Sequence, residues 1–247
     1  MTDPLQDRPP ARDRGGRRVA IGAGVAAILV ATAVIGYLLF FRGSSEERLS
    51  LDPAEETAPS AAPVTPATAA GRWVTTAGSE AGYRVREKLS RLPAQSDAVG
   101  RTTAVSGAMT VATEGDRLVA RDLRVEVDVS RLRSDESRRD NRIRSDGLET
   151  DRFPTATFVS TGDVVVPPDA TSGRAFTAEV TGDLTLHGVT RRVTIPVEGR
   201  VDAGSLQVVG SYNFPMSQFD IDPPNVGGFV TVDPDATLEF KVVMAKS

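Results

Sequence analysis

The 247-residue sequence predicts an all-β domain, an antiparallel barrel, carried behind a single N-terminal transmembrane helix. Three observations predict it. Residues 19–41 form an apolar run free of charge and proline. Hydrophobicity alternates with a period of two from Trp73 onward, and short clusters of turn-forming residues punctuate that alternation.

The run at 19–41, VAIGAGVAAILVATAVIGYLLFF, is long enough as a helix to cross roughly 30 Å of hydrocarbon. A cleaved signal peptide would carry a shorter apolar core and a small-residue cleavage site, whereas this run ends in LLFF, so an uncleaved anchor is expected. Arg8, Arg12, Arg14, Arg17 and Arg18 precede it. Only Arg42 and Arg48 follow closely, among Glu46, Glu47, Asp52, Glu55 and Glu56. The positive-inside bias puts residues 1–18 in the cytoplasm and everything after Phe41 outside the cell membrane. Gly22, Gly24 and Gly36 form no clean helix-pairing register, so oligomeric state stays open. Residues 42–70, rich in Ala, Pro and Thr, read as a semi-extended tether to a folded domain over 71–247.

In the stretch RLVARDLRVEVDVS, Leu123, Val125, Val127 and Val129 alternate with Arg124, Glu126 and Asp128, which describes a strand with one buried face. Similar runs occupy 83–89, 102–113, 157–166, 174–186, 189–201, 206–214 and 237–244. Turn residues at Glu114, Pro167, His187, Asp202 and Asp233 separate them. About eight strands with short connections fit a meandering barrel or a sandwich, and strands this long favour closure, which removes sheet edges. One segment breaks the alternation. Residues 134–147 have a capping Ser134, acids Asp135 and Glu136 in the first turn, Arg142 and Arg144 near the end, and Gly147 as the stop. A short helix is expected there, with Asp135–Arg139 and Asp140–Arg144 pairs four residues apart, docking through Ile143, Leu148 and Phe153 as a flap over one end.

Because the strand period is two, the apolar set should face inward. That assigns Val125, Val127, Phe158, Phe176, Val180, Leu184, Leu186, Leu238 and Phe240 to the interior, and Glu126, Asp128, Glu239 and Lys241 to water. The alternating positions are often small, and aromatics make up only 5% of the chain, which leaves both a hollow barrel and a simply packed one open.

Composition excludes several chemistries. A net charge of −4 gives no nucleic-acid footprint, and zero cysteines remove disulfides, thiolate metal sites and cysteine nucleophiles. His187 is the only histidine and reads as a solvated hairpin-turn residue. With no nucleophile elbow beside it, neither a catalytic triad nor a zinc site is expected. The pairs Asp220/Asp222 and Asp233/Asp235 sit among prolines and read as turns. Arg131, Arg133, Arg138, Arg139, Arg142 and Arg144 form the one basic cluster, interspersed with acids and read as a solvated face with an Arg139–Asp140 ion pair.

The stretch RRDNRIRSDGLETDRFPTATFVS, carrying Arg139, Asp140, Ile143, Phe153, Pro154 and Phe158, is followed by GDLTLHGVTRRVTIPVEG over 182–199. Both motifs, in this order, resemble the YceI-like family of lipocalin-like bacterial proteins. The similarity runs from Trp73 to the C-terminus. The resemblance implies an eight-stranded antiparallel barrel with a helical insertion, a hydrophobic tunnel for polyisoprenoid chains, and no catalytic residues. Asn141 and Arg142 stand where the family often has a histidine after the Arg-Asp pair, and Gly147 and Leu148 replace an aromatic pair. The anchor and linker are additions to the family pattern.

The resulting expectation is a non-enzymatic, membrane-anchored extracytoplasmic binding protein for an isoprenoid-type lipid, with no other cofactor. The nine interior residues would line its tunnel, and Arg139, Arg142 and Arg144 would meet a lipid phosphate. The alternatives are a cell-envelope interaction module with a packed barrel and, third, a hydrolase.

Overall fold

A computed structural model describes residues 46–53, 66–89, 95–115, 117–202, 204–226 and 230–247. The tail at 1–18, the candidate span at 19–41 and much of the expected linker lie outside the described residues. No helix among the described residues is long and apolar enough to cross a membrane.

The domain is built from β1 (Gly71–Thr75), β2 (Glu80–Leu89), β3 (Gln95–Thr102), β4 (Val105–Glu114), β5 (Arg117–Asp128), β6 (Thr155–Ser160), β7 (Val164–Val166), β8 (Phe176–Leu186), β9 (Val189–Asp202), β10 (Ser205–Pro215), β11 (Asn225–Val226) and β12 (Val230–Lys246). The circuit β1–β4–β5–β6–β8–β9–β10–β12 is antiparallel throughout, and β12 returns to pair with β1, closing the sheet. β1 and β2 share the same flank of β12 and act as one broken stave, as do β3 with β4 and β6 with β7. The result is an eight-stave meander barrel, so the closed-barrel expectation holds over the sandwich. Between β1 and β2, Ser79 Oγ accepts from Val243 N at 3.0 Å and donates to Thr76 O at 3.0 Å, satisfying backbone groups where the stave breaks. The runs read from the sequence are all present, and β1, β3 and β11 are additional to them.

The insertion between β5 and β6 contains α1 (Ser137–Arg142), continued by a π-helical turn over Ile143–Gly147. Its N-cap is Glu136, whose carboxylate accepts from Arg138 N at 3.1 Å, not Ser134. The expected Asp135–Arg139 pair forms. The other two expected pairings do not. Asp140 accepts from Ser134 N and Oγ at 2.9 and 2.6 Å, Arg144 donates to Asn141 at 3.1 Å, and Arg139 reaches across to Glu87 of β2. A carboxylate beside two free donors of its own turn is satisfied locally, which leaves both arginines to find other acceptors.

Two apolar clusters line the two ends of the barrel. One gathers Leu184, Leu186, Phe214, Met216, Phe219 and Ile221 near the flap; the other gathers Trp73, Met109, Leu206 and Met244 at the far end. There the single helical turn Pro66–Ala69 accepts a 2.9 Å hydrogen bond from Trp73 Nε1 at Ala69 O, giving the buried indole its one polar partner.

The outer wall corrects two expectations. Glu239 and Lys241 do point outward, but Glu239 is 2% exposed. Its carboxylate lies 3.4 Å from Arg84 Nη2 and 2.9 Å from Arg101 Nη2. Residues 46–53, inside the stretch read as tether, run across this wall as a strap. The carbonyls of Glu46 and Glu47 accept from Arg84 and Arg101, the Asp52 carboxylate pairs with Lys241, and the Asp52 carbonyl accepts from Arg200. The strap buries by polar pairing what periodicity alone assigned to water. Glu126 and Asp128 point outward as expected but are half-buried, paired with Arg124 and Arg131.

Candidate functional site

The barrel is hollow. Its lumen is a continuous cavity of about 890 Å³, within the roughly 300–1,000 Å³ range of ligand sites. A packed-barrel description does not fit this structure. All nine residues assigned to the interior line the cavity: Val125, Val127, Phe158, Phe176, Val180, Leu184, Leu186, Leu238 and Phe240. Periodicity missed the contribution of β1, β2 and β4, which add Trp73, Tyr83, Val85, Val105, Met109 and Val111. The signal was there, in the alternation of residues 105–111 and 81–85.

The lumen stays open because its aromatic rings lie along the wall. Phe240 stands opposite Gly210, Phe176 opposite Gly199 and Tyr83 opposite Gly100, each across one strand pair, while Phe158 covers Gly182 diagonally. A Cβ at Gly199 would come within 2.5 Å of the Phe176 ring, and one at Gly210 within 2.6 Å of the Phe240 ring. Glycine opposite each ring therefore gives it a seat against the sheet. With an ordinary side chain there, the ring would have to swing into the lumen.

The two ends differ in chemistry. The far end is apolar, whereas the flap end brings Glu87, Glu136, Arg138, Arg139, Asn141, Arg142 and Asp146 to the cavity rim. Ile143 and Leu148 of the flap face the cavity with them, as expected of the docking side, together with Gly147, whereas Phe153, also expected there, packs against His187 and not the cavity. Arg139 forms a two-point pair with Glu87, Nε to Oε1 at 3.0 Å and Nη2 to Oε2 at 3.1 Å. Burial alone would lower the Arg139 pKa, but the hydrogen bonds and charge of Glu87, then of Asp135, more than offset it and hold the guanidinium above its ordinary value. Arg139 is thus a fixed strut between flap and barrel. Arg142 lines the cavity, joined by Arg138; Arg144 does not line it. Tyr83, also at this end, has a buried hydroxyl with no hydrogen-bond partner among the described residues, and burial raises its pKa.

His187 occupies the expected β8–β9 turn, with φ of 52°, but it is not solvated. Its side chain is 11% exposed, Nδ1 is 3.1 Å from the Phe219 carbonyl, and its ring meets Phe153 edge-on at 4.9 Å between centroids. Nε2 faces Glu149 at 3.7 Å. The histidine clasps the end of the flap segment to the barrel. Asp220 is the left-handed residue closing the turn at Met216–Phe219, whereas Asp233 and Asp235, expected in a turn, lie within β12 where its pairing with β2 shifts register, and there Asp235 N donates to the Asp233 carboxylate at 3.3 Å. No group of three potential metal ligands occurs among the described residues.

Comparison with known proteins agrees with this geometry. Residues 74–244 match the YceI-like domain. A UPF0312 protein of Vibrio parahaemolyticus is 37% identical over 123 residues, 47% of this chain and 60% of that protein. One from Vibrio vulnificus is 31% identical over 141 residues, 54% of this chain and 70% of its own length. The match therefore spans less than two thirds of the Vibrio parahaemolyticus relative. Among solved structures, a polyisoprenoid binding domain from Saccharophagus degradans, described as implicated in plant cell wall breakdown, superposes with a TM-score of 0.56 at 16% identity. It covers 72% of this chain and 99% of that one, a likeness of fold.

Proposed function

Because the chain belongs to the YceI-like family, we propose that its barrel binds an isoprenoid-type lipid in the lumen, for sequestration or transfer. The observation that carries this reading is the apolar cavity of about 890 Å³, walled by aliphatic side chains and flat-lying rings. The fold neighbour from Saccharophagus degradans, a polyisoprenoid binding domain, supports the ligand class. Burying an aliphatic chain contributes about 0.8 kcal/mol per methylene, so ten carbons give about 8 kcal/mol gross, part of which offsets the loss of ligand freedom. The nine inward residues would make these contacts.

Native mass spectrometry of the full chain, extracted from its membrane in mild detergent, tests the reading. A bound isoprenoid released on collisional activation is the expected result. A ligand-free protein that also takes up no added farnesol contradicts it.

The protein would work at the outer face of the cytoplasmic membrane, held by residues 19–41. The chain contains no cysteine, so a single cysteine introduced at Thr2 or at Ser247 can be probed on intact cells with an impermeant maleimide. Labelling at position 247 and protection at position 2 are expected; the reverse pattern would overturn the orientation.

A further inference from the structure

Among the described residues, the arginines of residues 131–152 divide into two groups. Arg131 pairs with Asp128, Arg133 donates to the carbonyls of Ser130 and Leu132, Arg139 to Glu87 and Asp135, Arg144 to Asn141, and Arg152 to Glu149. Arg138 and Arg142 have no such acceptor, and both line the rim of the cavity. They lie four residues apart on α1, so their side chains are neighbours on one helical face, about 5–6 Å apart at Cβ. Two like charges at that spacing repel. No nearby acid pairs with either among the described residues: Glu136 accepts from the backbone N–H of Arg138, Glu87 is taken by Arg139, and Asp146, on the π-helical turn, bonds to neither guanidinium.

An unrelieved cationic pair at the one polar rim of an apolar lumen is arranged for an amphiphile with a negative end. We propose that Arg138 and Arg142 form an anion site for a phosphate carried by the bound chain, so that the ligand class is an isoprenyl phosphate in preference to a neutral isoprenoid. This deepens the lipid-binding reading and rests on it. The chain fills the lumen, and the phosphate stays at the rim, half in water, where guanidinium groups donate charge-assisted hydrogen bonds. Arg139 takes no part, because its fork is already occupied by Glu87.

The test measures the affinities of farnesyl phosphate and farnesol for the full-length protein in nanodiscs of neutral phosphatidylcholine at low salt. Farnesyl phosphate should bind about tenfold or more tightly than farnesol, the worth of one charge-assisted hydrogen bond or more. The preference should shrink as salt is raised. In the R138Q/R142Q double variant, with folding checked by circular dichroism, the ratio should fall to about one, and R138K/R142K should recover part of it. Should the variant melt early, each single substitution gives the same ratio test. Inorganic phosphate at matched concentration is the second arm. Failure to compete assigns the site to chain-borne phosphate, and full competition keeps the anion site while assigning it to free phosphate. Equal affinity for both farnesyl ligands in the unmodified protein, or a preference that survives the double substitution, overturns the proposal. Binding of neither ligand is the different result that would sink the lipid-binding reading itself.

Discussion

Strand β12 has two faces that obey opposite rules. Inward, Leu238 and Phe240 line the cavity; outward, Glu239 sits 2% exposed among Arg84, Arg101 and the backbone of the strap. In most barrels the inside is packed and the outside forgiving. Here the tight, unforgiving contacts lie on the outer wall of β2, β3 and β12, and the inner wall has room to spare. The difference teaches that the fold's stability and its capacity for ligand are carried by different faces of the same strands.

The comparison breaks most visibly at Glu239. Replacing it with alanine removes the buried partner of Arg84, itself 7% exposed, and of Arg101, leaving each with one more exposed acid, Asp97 at 3.4 Å and Glu46 at 3.7 Å, and should cost up to about 3–5 kcal/mol in urea unfolding. A cost below about 1 kcal/mol would mean that the outer wall is as tolerant as an ordinary surface. A smaller effect is expected at the ring seats. Gly210→Val brings a Cβ to 2.6 Å from the Phe240 ring and 3.0 Å from the Pro196 carbonyl, and should destabilise by about 1–3 kcal/mol. It should also push the ring into the lumen and lower farnesol uptake, a second readout that simple destabilisation would not give once the protein is held well below its melting temperature. Third comes His187→Ala, which removes a bond to the Phe219 carbonyl and the contact with Phe153. About 1–2 kcal/mol of stability should be lost, and no chemical activity is expected to go with it.

The inner face was legible in the sequence and the outer face was not, for a physical reason. Inward residues follow the period of the strand, so Val125 and Val127, or Leu184 and Leu186, announce their face by alternation alone. Register is local to each strand, and nine assignments made strand by strand could succeed together because each needed only its own neighbours. The burial of Glu239 depends on residues 46–53, nearly two hundred positions away in the chain and composed like a tether, so nothing in the local pattern could reveal it. The same holds for Arg139. Its neighbour in sequence, Asp140, looked like the natural partner, but Glu87 on a distant strand holds the guanidinium at two points. His187 was placed in the correct turn and given the wrong surroundings, because Phe153 and Phe219 reach it from two other loops. The glycines of β3, β8, β9 and β10 were visible all along. Their meaning emerged only when register set three of them opposite an aromatic ring and Gly182 diagonal to one.

The smallest expected effect on stability is also the most informative about function. Val127 lies toward the flap end of β5 and Phe176 at the far end of β8. Because the lumen is wide enough to take added side-chain volume, Val127→Trp and Phe176→Trp should each cost less than about 1 kcal/mol, where a packed core would lose about 1–3 kcal/mol or more. The decisive measurement is affinity against isoprenoid chain length for the unmodified protein and these two variants. The account predicts affinity that rises with each added unit and then levels off as the lumen fills. Val127→Trp should weaken every length, since it narrows the flap end, and Phe176→Trp should lower the length at which affinity levels off while sparing short chains. Affinity independent of chain length in the unmodified protein, or unfolding by both substitutions, would contradict a hollow barrel that holds an apolar chain along its axis.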